Sequence, residues 1–530
     1  MKVRLGVVTL TLALLALGIG LGTQWTPAAS ALAVTLAAPE AADPTGPQTT
    51  EDPSAIITAE DMHNRIYFLA SDALMGRDTP SPGLEAAAAY LVSEHRRMGL
   101  EPGNDGSFYQ RWPYRLMGPD LEVASLVLSG PGGQRSLVVG EDVALRGGTD
   151  GSVEGPLVMV GGCNEIPEEG SLTGKIAVFC LPVEGEWSRQ AQALALRQHQ
   201  FAESAGALAT VHLLGADLSP QAMTQITEAM SSPTRLMGEE TPGPQIFLNR
   251  DTAGEIDSRL PTDIVALDHG EMEELESRLE ADFPIRIHDD ARPPNVVAMI
   301  PGSDPQLRDE YVVLSAHFDH VGVGTPVNGD SIYNGADDNA SGTAALLETA
   351  RAISAMPEAP RRSVVFTHVS GEEKGLLGAE WFVENPPMPV SQMVANINAD
   401  MIGSDTHRDT LVVIGKDYSS LGPLVDRINE ANPELGLVTS DDLWPEQRFF
   451  YRSDQYHFMR MEVPSLFFFT GVHECYHRPC DTVDFIDPDK AARIARLLTL
   501  SVLEIANADA RPEWDAAGLA EVRELTGAGR

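Results

Sequence analysis

The chain has 530 residues, of which 43% are hydrophobic, and it carries a formal net charge of −40 at pH 7. This length predicts two or three domains, and the hydrophobic content excludes a globally disordered chain. The 77 Asp and Glu residues against 37 Lys and Arg argue against a nucleic-acid partner, because phosphate binding needs a basic surface. We attribute most of the acidity to solubility.

Residues 1–33 have the pattern of a signal peptide. Lys2 and Arg4 precede a long apolar run, and small residues around Ala31 and Ala33 fit a cleavage site. We therefore expect an exported protein, periplasmic or secreted, with no stable membrane partner beyond this segment. The length of the apolar run leaves an uncleaved anchor as the alternative. Residues 34–55, rich in Pro, Thr and acids, are predicted to form a linker.

Residues 56–120 are predicted to contain two amphipathic helices. Thr58 is the expected N-cap of the first helix, and Gly99 closes the second. From 121 to 288 short apolar strands alternate with Gly-rich turns, around one helix, which indicates a β-rich insertion with its own core.

From 289 to 508 apolar strands alternate with helices, and 509–530 is predicted to be a C-terminal tail. This alternation predicts an α/β fold in which a mixed β-sheet is sandwiched by helices. Ligand sites in such sheets lie at the carboxyl ends of the strands.

Metal-binding side chains follow five successive elements of this region, at the point where each strand ends or a helix begins. They are His317 with Asp319, Asp337 with Asp338, Glu372 with Glu373, Asp400, and His477. A single acid at a strand end is weak evidence, but five in order at one edge of a sheet strongly predict a metal site.

Three carboxylates and two imidazoles suit zinc but are too many for one catalytic ion. Two ions that share one carboxylate would use all five and hold a hydrolytic water between them. This arrangement accounts for the adjacent Glu372 and Glu373: one binds metal and the other faces the water as general base. The nearby cations would offset the repulsion between the two carboxylates.

The motifs SAHFDH, NGADDNASG, SGEEKGLLGAEWF, NINADMIG and YHRPCDT resemble those of the exported co-catalytic di-zinc aminopeptidases. These enzymes are relatives of glutamate carboxypeptidase and, more distantly, of glutaminyl cyclase and transferrin receptor. The resemblance covers about residues 56–508, and it implies that 56–120 is the N-terminal part of a peptidase domain whose catalytic di-zinc core is 289–508. It implies the di-zinc exopeptidase fold, two Zn²⁺ per chain, and a protease-associated domain as the identity of the insertion at 121–288.

The same resemblance implies how the metal ligands are divided. His317 and Asp400 complete one zinc site, and Glu373 and His477 complete the other. Asp338 bridges both ions, because the family motif places its aspartate immediately before Asn339. Asp337 is then a turn residue.

The catalytic roles also follow from the resemblance. Glu372 is the general base, and Asp319 would accept a hydrogen bond from the His317 ring and fix its tautomer. Tyr451 is the candidate donor to the tetrahedral oxyanion, with Tyr456 as its rival. His320 and His473 match no ligand position and are expected at the surface or as supporting neighbours of the ligands.

The four cysteines fall into two local pairs, Cys163 with Cys180 and Cys475 with Cys480. Export implies an oxidising compartment, so we predict two disulfides, with four buried free thiols as the alternative. Cys475 and Cys480 flank His477 and could instead bind metal. Thiolates suit structural zinc better, which favours a disulfide that closes the loop.

The sequence thus predicts an exported di-zinc metallo-aminopeptidase that hydrolyses N-terminal residues from a peptide substrate. A di-zinc carboxypeptidase or dipeptidase on the same scaffold is the nearest alternative. A non-catalytic binding protein is a third, although it would require lost ligands. The sequence leaves open the preferred residue, the oligomeric state and the physiological metal.

Overall fold

The computed structural model describes residues 52–163, 171–182, 188–215, 220–237, 242–404 and 407–526. The expected signal peptide and the linker up to residue 51 lie outside these ranges. At the end of the expected linker, Pro53–Ile56 forms a short 3-10 helix, and the Asp52 side chain accepts a hydrogen bond from the main-chain N–H of Ser54. Among the described residues, no helix is both long and apolar enough to cross a membrane.

A nine-stranded mixed sheet is the centre of the α/β region. Its strands, in spatial order, are Glu101–Pro102, Pro294–Ile300, Ser363–Val369, Tyr311–His317, Met393–Ala399, Ser465–Phe469, Thr410–Ile414 and Val438–Ser440, with Tyr109–Arg111 also paired to Pro294–Ile300. The four strands from Ser363–Val369 to Ser465–Phe469 are mutually parallel, so their carboxyl ends share one edge. The flanking strands run antiparallel to them.

Helices cover both faces of this sheet, as the sequence predicts. On one face lie Ala59–Leu69, Pro82–Arg97, Gly342–Ser354, Leu421–Ala431 and Pro488–Asn507; on the other lie Leu377–Glu384, Gln455–Arg460 and Ala516–Thr526. Alternate strand residues face the two cores: Val312 and Leu314 pack into the first, and Val313 packs into the second.

The predicted helix boundaries near the N-terminus are confirmed. Thr58 caps the first helix by accepting a hydrogen bond from the main-chain N–H of Asp61 at 3.1 Å. Gly99, with φ of +81°, follows the last turn of the second. At the other end of the chain, the expected tail includes the helix Ala516–Thr526, whose Val522 is fully buried.

The β-rich segment forms a separate eight-stranded sheet. In spatial order its strands are Gly133–Ser136, Ser125–Gly130, Met272–Asp282, Val153–Val160, Ile176–Leu181, Ala209–Leu214, Gln245–Leu248 and Val143–Arg146. Helices Arg189–Ser204, Pro220–Ser231, Arg250–Ile256 and Arg259–Asp263 accompany it. Apolar side chains of these elements bury one another in their own clusters, consistent with a separate core.

Two small sheets complete the described fold. Thr234–Met237, Tyr114–Pro119 and Ile285–Ala291 pair in a three-stranded sheet, so the β-rich region extends slightly beyond both ends of 121–288. Gly322–Val327 and Asp330–Tyr333 form a hairpin that leads directly into the turn containing Asp338. The assignment of the β-rich region as a protease-associated domain remains a prediction.

Candidate metal centre

The carboxyl edge of the four parallel strands carries the predicted ligands. His317 is the last residue of its strand, Asp400 directly follows Met393–Ala399, and the two glutamates lie in the turn after Ser363–Val369. Asp338 lies in the turn that precedes the helix Gly342–Ser354. The predicted ligands, which are far apart in the sequence, therefore lie together at one edge of the sheet.

The five predicted ligands lie in two groups that share Asp338. The Nε2 atom of His317 is 3.3 Å from Asp338 Oδ1 and 3.3 Å from Asp400 Oδ1. The Nε2 atom of His477 is 3.1 Å from Asp338 Oδ2 and 3.0 Å from Glu373 Oε2. Each oxygen of Asp338 thus faces a different histidine, which is the arrangement expected of a bridging carboxylate.

The chemistry of these groups fits divalent metal. Among the five predicted ligands, three buried atoms have no hydrogen-bond partner in the described residues although other polar atoms lie close to them: His317 Nε2, Glu373 Oε1 and Asp400 Oδ1. Buried polar atoms are nearly always hydrogen-bonded, so atoms that converge without hydrogen-bond geometry indicate a shared ion. Imidazole nitrogens with carboxylate oxygens are zinc ligands, and two groups with a common carboxylate fit two ions.

His320 lies in the second group, so of its two expected places, at the surface or as a neighbour of the ligands, the surface is excluded. Its side chain is fully buried, with Nδ1 2.8 Å from Glu373 Oε1 and 3.8 Å from Asp338 Oδ2. Burial and Asp338 raise the pKa of Glu373, but the contacts with His320 and His477 outweigh them and leave that pKa below its usual value. In the sequence, the position of His320 in the same strand-end loop as His317 was the available sign that it lies near the metal ligands.

Asp319 supports the site in a different way from the expected one. The His317 ring bonds to the main-chain carbonyl of Asp319 at 3.2 Å, whereas the Asp319 carboxylate is 3.7 Å from the same ring nitrogen. That carboxylate instead accepts hydrogen bonds from Thr79 Oγ1 at 2.9 Å and from the main-chain N–H of Gly371 at 2.8 Å. Asp319 therefore links the His317 loop to the turn that carries Glu372.

Glu372 lines a pocket beside the candidate ligands and belongs to neither ligand group. Asp338 and Asp400 are its other acids, and its apolar wall consists of Met401, Phe449, Phe467, Phe469 and Val472. Burial, together with Glu373 and Asp400, raises the pKa of Glu372 well above its usual value, against the opposing effect of His317. The two glutamates thus differ in environment, as the sequence analysis requires.

Tyr476 is a functional candidate that the sequence analysis missed. It lines the same pocket as Glu372, and its ring stacks on that of His477 with centroids 3.9 Å apart. Burial and the nearby carboxylates, Asp338 first, raise the pKa of its phenol. Tyr451 is not among the pocket-lining residues; its ring packs on Phe450 and under the Arg448 guanidinium. The position of Tyr476 immediately before a predicted ligand was the available signal.

The loop that carries His477 is fixed at several points. Cys475 and Cys480 are joined on either side of His477, with Cα atoms 5.3 Å apart, and Cys163 is joined to Cys180 in the β-rich region. His473, which is buried rather than at the surface, lies with Nε2 3.3 Å from Asp337 Oδ2.

Asp337 is more than a turn residue, because it connects the loops around the site. Its Oδ1 accepts a hydrogen bond from the main-chain N–H of Gly403 at 2.7 Å. Asp481 accepts the main-chain N–H groups of Asp337 and Asp338 at 2.8 and 3.1 Å. These bonds tie the Asp338 turn to the loops that follow Asp400 and His477.

The mixed α/β fold thus brings two adjacent groups of candidate metal ligands together, as expected of a metalloenzyme. The sequence profile of peptidase family M28 matches residues 295–502, and this segment of the chain is similar to that family. The matched residues contain all five predicted ligands.

Two curated relatives show the extent of the similarity. The leupeptin-inactivating enzyme 1 of Streptomyces exfoliatus is 35% identical over 111 residues, which is 21% of this chain and 23% of that protein. Aminopeptidase YwaD of Bacillus subtilis is 23% identical over 257 residues, 47% of this chain and 53% of that protein. The matched stretch is thus less than two thirds of either relative.

Among solved structures, the chain is similar to an aminopeptidase from Aneurinibacillus sp. strain AM-1. The sequence identity is 19% and the TM-score is 0.45, over 86% of this chain and 96% of that one.

The geometry predicts different metal contents for two matched variants. Glu373→Gln should lose zinc, because Gln supplies a neutral oxygen in place of a ligand carboxylate, whereas Glu372→Gln should keep two ions per chain. Elemental analysis after dialysis against buffered zinc measures both. Loss of metal from Glu372→Gln alone would mean that the two roles are reversed.

Proposed function

We propose that the chain is a di-zinc aminopeptidase that removes N-terminal residues from peptides. The observation that carries this proposal is the pair of contacts from Asp338 to His317 and His477, beside a pocket lined by Glu372. The peptidase family to which residues 295–502 are similar supports hydrolysis of a peptide bond. The Bacillus subtilis relative is named an aminopeptidase, which supports the choice of the N-terminal end.

The five ligands would hold the metals as two sites, His317 with Asp400 and Glu373 with His477, joined by Asp338. Bound zinc would supply Lewis acidity that polarises the peptide carbonyl and makes water acidic enough to act near neutral pH. All other steps fall to the side chains of this chain.

Glu372 is proposed to accept a proton from the attacking water and to pass it to the leaving amine. Its burial favours the neutral carboxylic acid, and adjacent metal cations would favour the carboxylate. These opposing effects suit a group that must both accept and release a proton in one cycle.

Tyr476 is proposed to stabilise the negative charge that develops on the carbonyl oxygen. A phenol with a raised pKa remains protonated, so its hydroxyl can donate a hydrogen bond at neutral pH. The role expected of Tyr451 stays a prediction, and the pocket favours Tyr476 for it.

The pocket also supports a substrate with a free amino end. Its acids would attract an α-ammonium group, while the apolar wall would accept an apolar side chain. One observation favours the carboxypeptidase or dipeptidase alternative: Arg452 lines the same pocket and could grip a terminal carboxylate. The non-catalytic alternative is disfavoured because each expected ligand lies in one of the two groups.

Replacing the proposed base tests the chemistry. Glu372→Gln should lower kcat by at least ~10²-fold, because the amide cannot accept the proton of the attacking water. Stopped or continuous assays with a fluorogenic amino-acid substrate measure this. Glu384→Gln is the matched control, since that exposed glutamate pairs with Arg460 away from the pocket. Full activity of Glu372→Gln would contradict its role.

Blocking each end of a peptide tests which end is recognised. Acetylation of the N-terminus should abolish cleavage, because the acids of the pocket then lose their cationic partner. Amidation of the C-terminus should change the rate little. Mass spectrometry identifies the products. Release of residues from the C-terminal end of an N-acetylated peptide would replace the aminopeptidase with the carboxypeptidase.

A further inference from the structure

The segment Met75–Thr79, which we term the brace, lies outside the family-matched residues 295–502 and has an unusual backbone. Met75, Gly76 and Arg77 are three consecutive residues with positive φ, at 50°, 67° and 49°. Non-glycine residues rarely adopt this conformation, and it persists where surrounding contacts hold it. A side chain on Gly76 would come within 2.4 Å of the carbonyl oxygen of Tyr333, so the brace packs directly against the hairpin before Asp338.

This backbone directs Arg77 into the interior behind the metal centre. The side chain is fully buried and donates hydrogen bonds to the main-chain carbonyls of Phe318 at 2.7 Å, Asn334 at 2.7 Å and Gly335 at 2.9 Å, and also to that of Leu69. Phe318 lies between His317 and Asp319, and Gly335 opens the turn that contains Asp338. One guanidinium therefore joins two of the three loops that supply the first metal group, those of His317 and Asp338.

The charge of Arg77 is compensated at a distance. Among the described residues no carboxylate lies within ion-pair distance of it. Burial lowers its pKa to about 10, against the attraction of Asp319, Asp481, Asp338 and Glu373, so it remains charged at neutral pH. A buried cation without a paired anion is costly unless the surrounding field favours it, and here that field comes from the acids of the metal centre.

The rest of the brace reaches the turn of the two glutamates. Thr79 Oγ1 donates to the carboxylate of Asp319 at 2.9 Å and accepts the main-chain N–H of Gly371 at 3.1 Å. Asp78 forms an ion pair of 2.6 Å with Lys374, the residue after Glu373. The brace thus contacts all three loops that deliver His317, Asp338 and Glu373.

We infer that the brace is a positioning element of the metal centre and that Arg77 is its principal positioning residue. It holds the ligand loops at the spacing that two metal ions need, and it neutralises part of their charge before metal binds. This inference rests on the proposed two-metal site. The family-matched residues supply the ligands, while a segment from the N-terminal part of the chain sets their positions.

Arg362 provides a matched control for the cost of removing a buried arginine. It is also nearly fully buried, at 1% exposure, and donates to the carbonyls of Ile505 at 3.0 Å and Ala508 at 2.5 Å. It pairs with Glu310 at 2.6 Å and contacts none of the ligand loops. Substitution of either arginine should therefore lower the stability of the protein, but only substitution of Arg77 should weaken metal binding.

The test measures zinc affinity in the full chain by competition with a chromophoric chelator, below the unfolding temperature of each metal-free variant. Arg77→Met should weaken zinc binding by ~10–100-fold, the usual effect of removing a group that orients metal ligands. Arg362→Met should stay within about twofold of the unsubstituted protein. Arg77→Lys should be intermediate, because it keeps the charge but lacks the planar fork that reaches several carbonyls.

Unchanged zinc affinity in Arg77→Met, or an equal loss in Arg362→Met, would overturn the inference. If Arg77→Met does not fold, two variants of Thr79 test the inference instead. Thr79→Val should bind zinc more weakly than the unsubstituted protein, whereas Thr79→Ser, which keeps the hydroxyl, should bind zinc with unchanged affinity. Equal affinities for these two Thr79 variants would then count against the brace. Failure of the unsubstituted protein to bind two zinc ions would instead contradict the proposed function.

Discussion

The structure depends on the concentration of buried carboxylates at one edge of a sheet. The buried acids gathered there are Asp319, Asp337, Asp338, Asp400, Asp454 and Asp481, and the partly buried Glu372 and Glu373 lie beside them. Like charges in a desolvated place repel each other, and the consequence is visible in Asp454: burial, with Asp400 and Asp319, raises its pKa to about 8 against the effect of His317. Such a cluster is stable only if cations and hydrogen-bond donors are built around it, and the remaining features of the site meet that requirement.

Three kinds of compensation are present. Main-chain N–H groups donate to Asp481, Asp337 and Asp319, which fixes acids that bind no metal in this account. Imidazoles face the acids that do, and Arg77 adds a permanent positive charge behind them. Two divalent ions would supply the rest of the positive charge. Two divalent ions at this edge of the sheet would therefore serve both the charge balance of the acids and the proposed catalysis.

The sequence was sufficient where local pattern determines structure. Strand periodicity predicted the sheet, and the placement of His317, Asp400 and Glu373 at strand ends predicted one common site, because parallel strands bring their carboxyl ends together. The division of the ligands into two groups came from the family resemblance. The sequence was insufficient where contacts join distant parts of the chain. Nothing in the local pattern around Arg77 indicates that its side chain reaches the loop of Phe318. His320 lies in the same loop as His317, but its contact with Glu373 depends on a distant part of the chain.

Anomalous scattering at the zinc edge from crystals of the zinc-loaded protein tests the central claim most directly. The account predicts two peaks per chain, ~3.5–4 Å apart, one beside His317 and Asp400 and the other beside Glu373 and His477, with Asp338 in contact with both. A single peak, or two peaks that do not share Asp338, would contradict it.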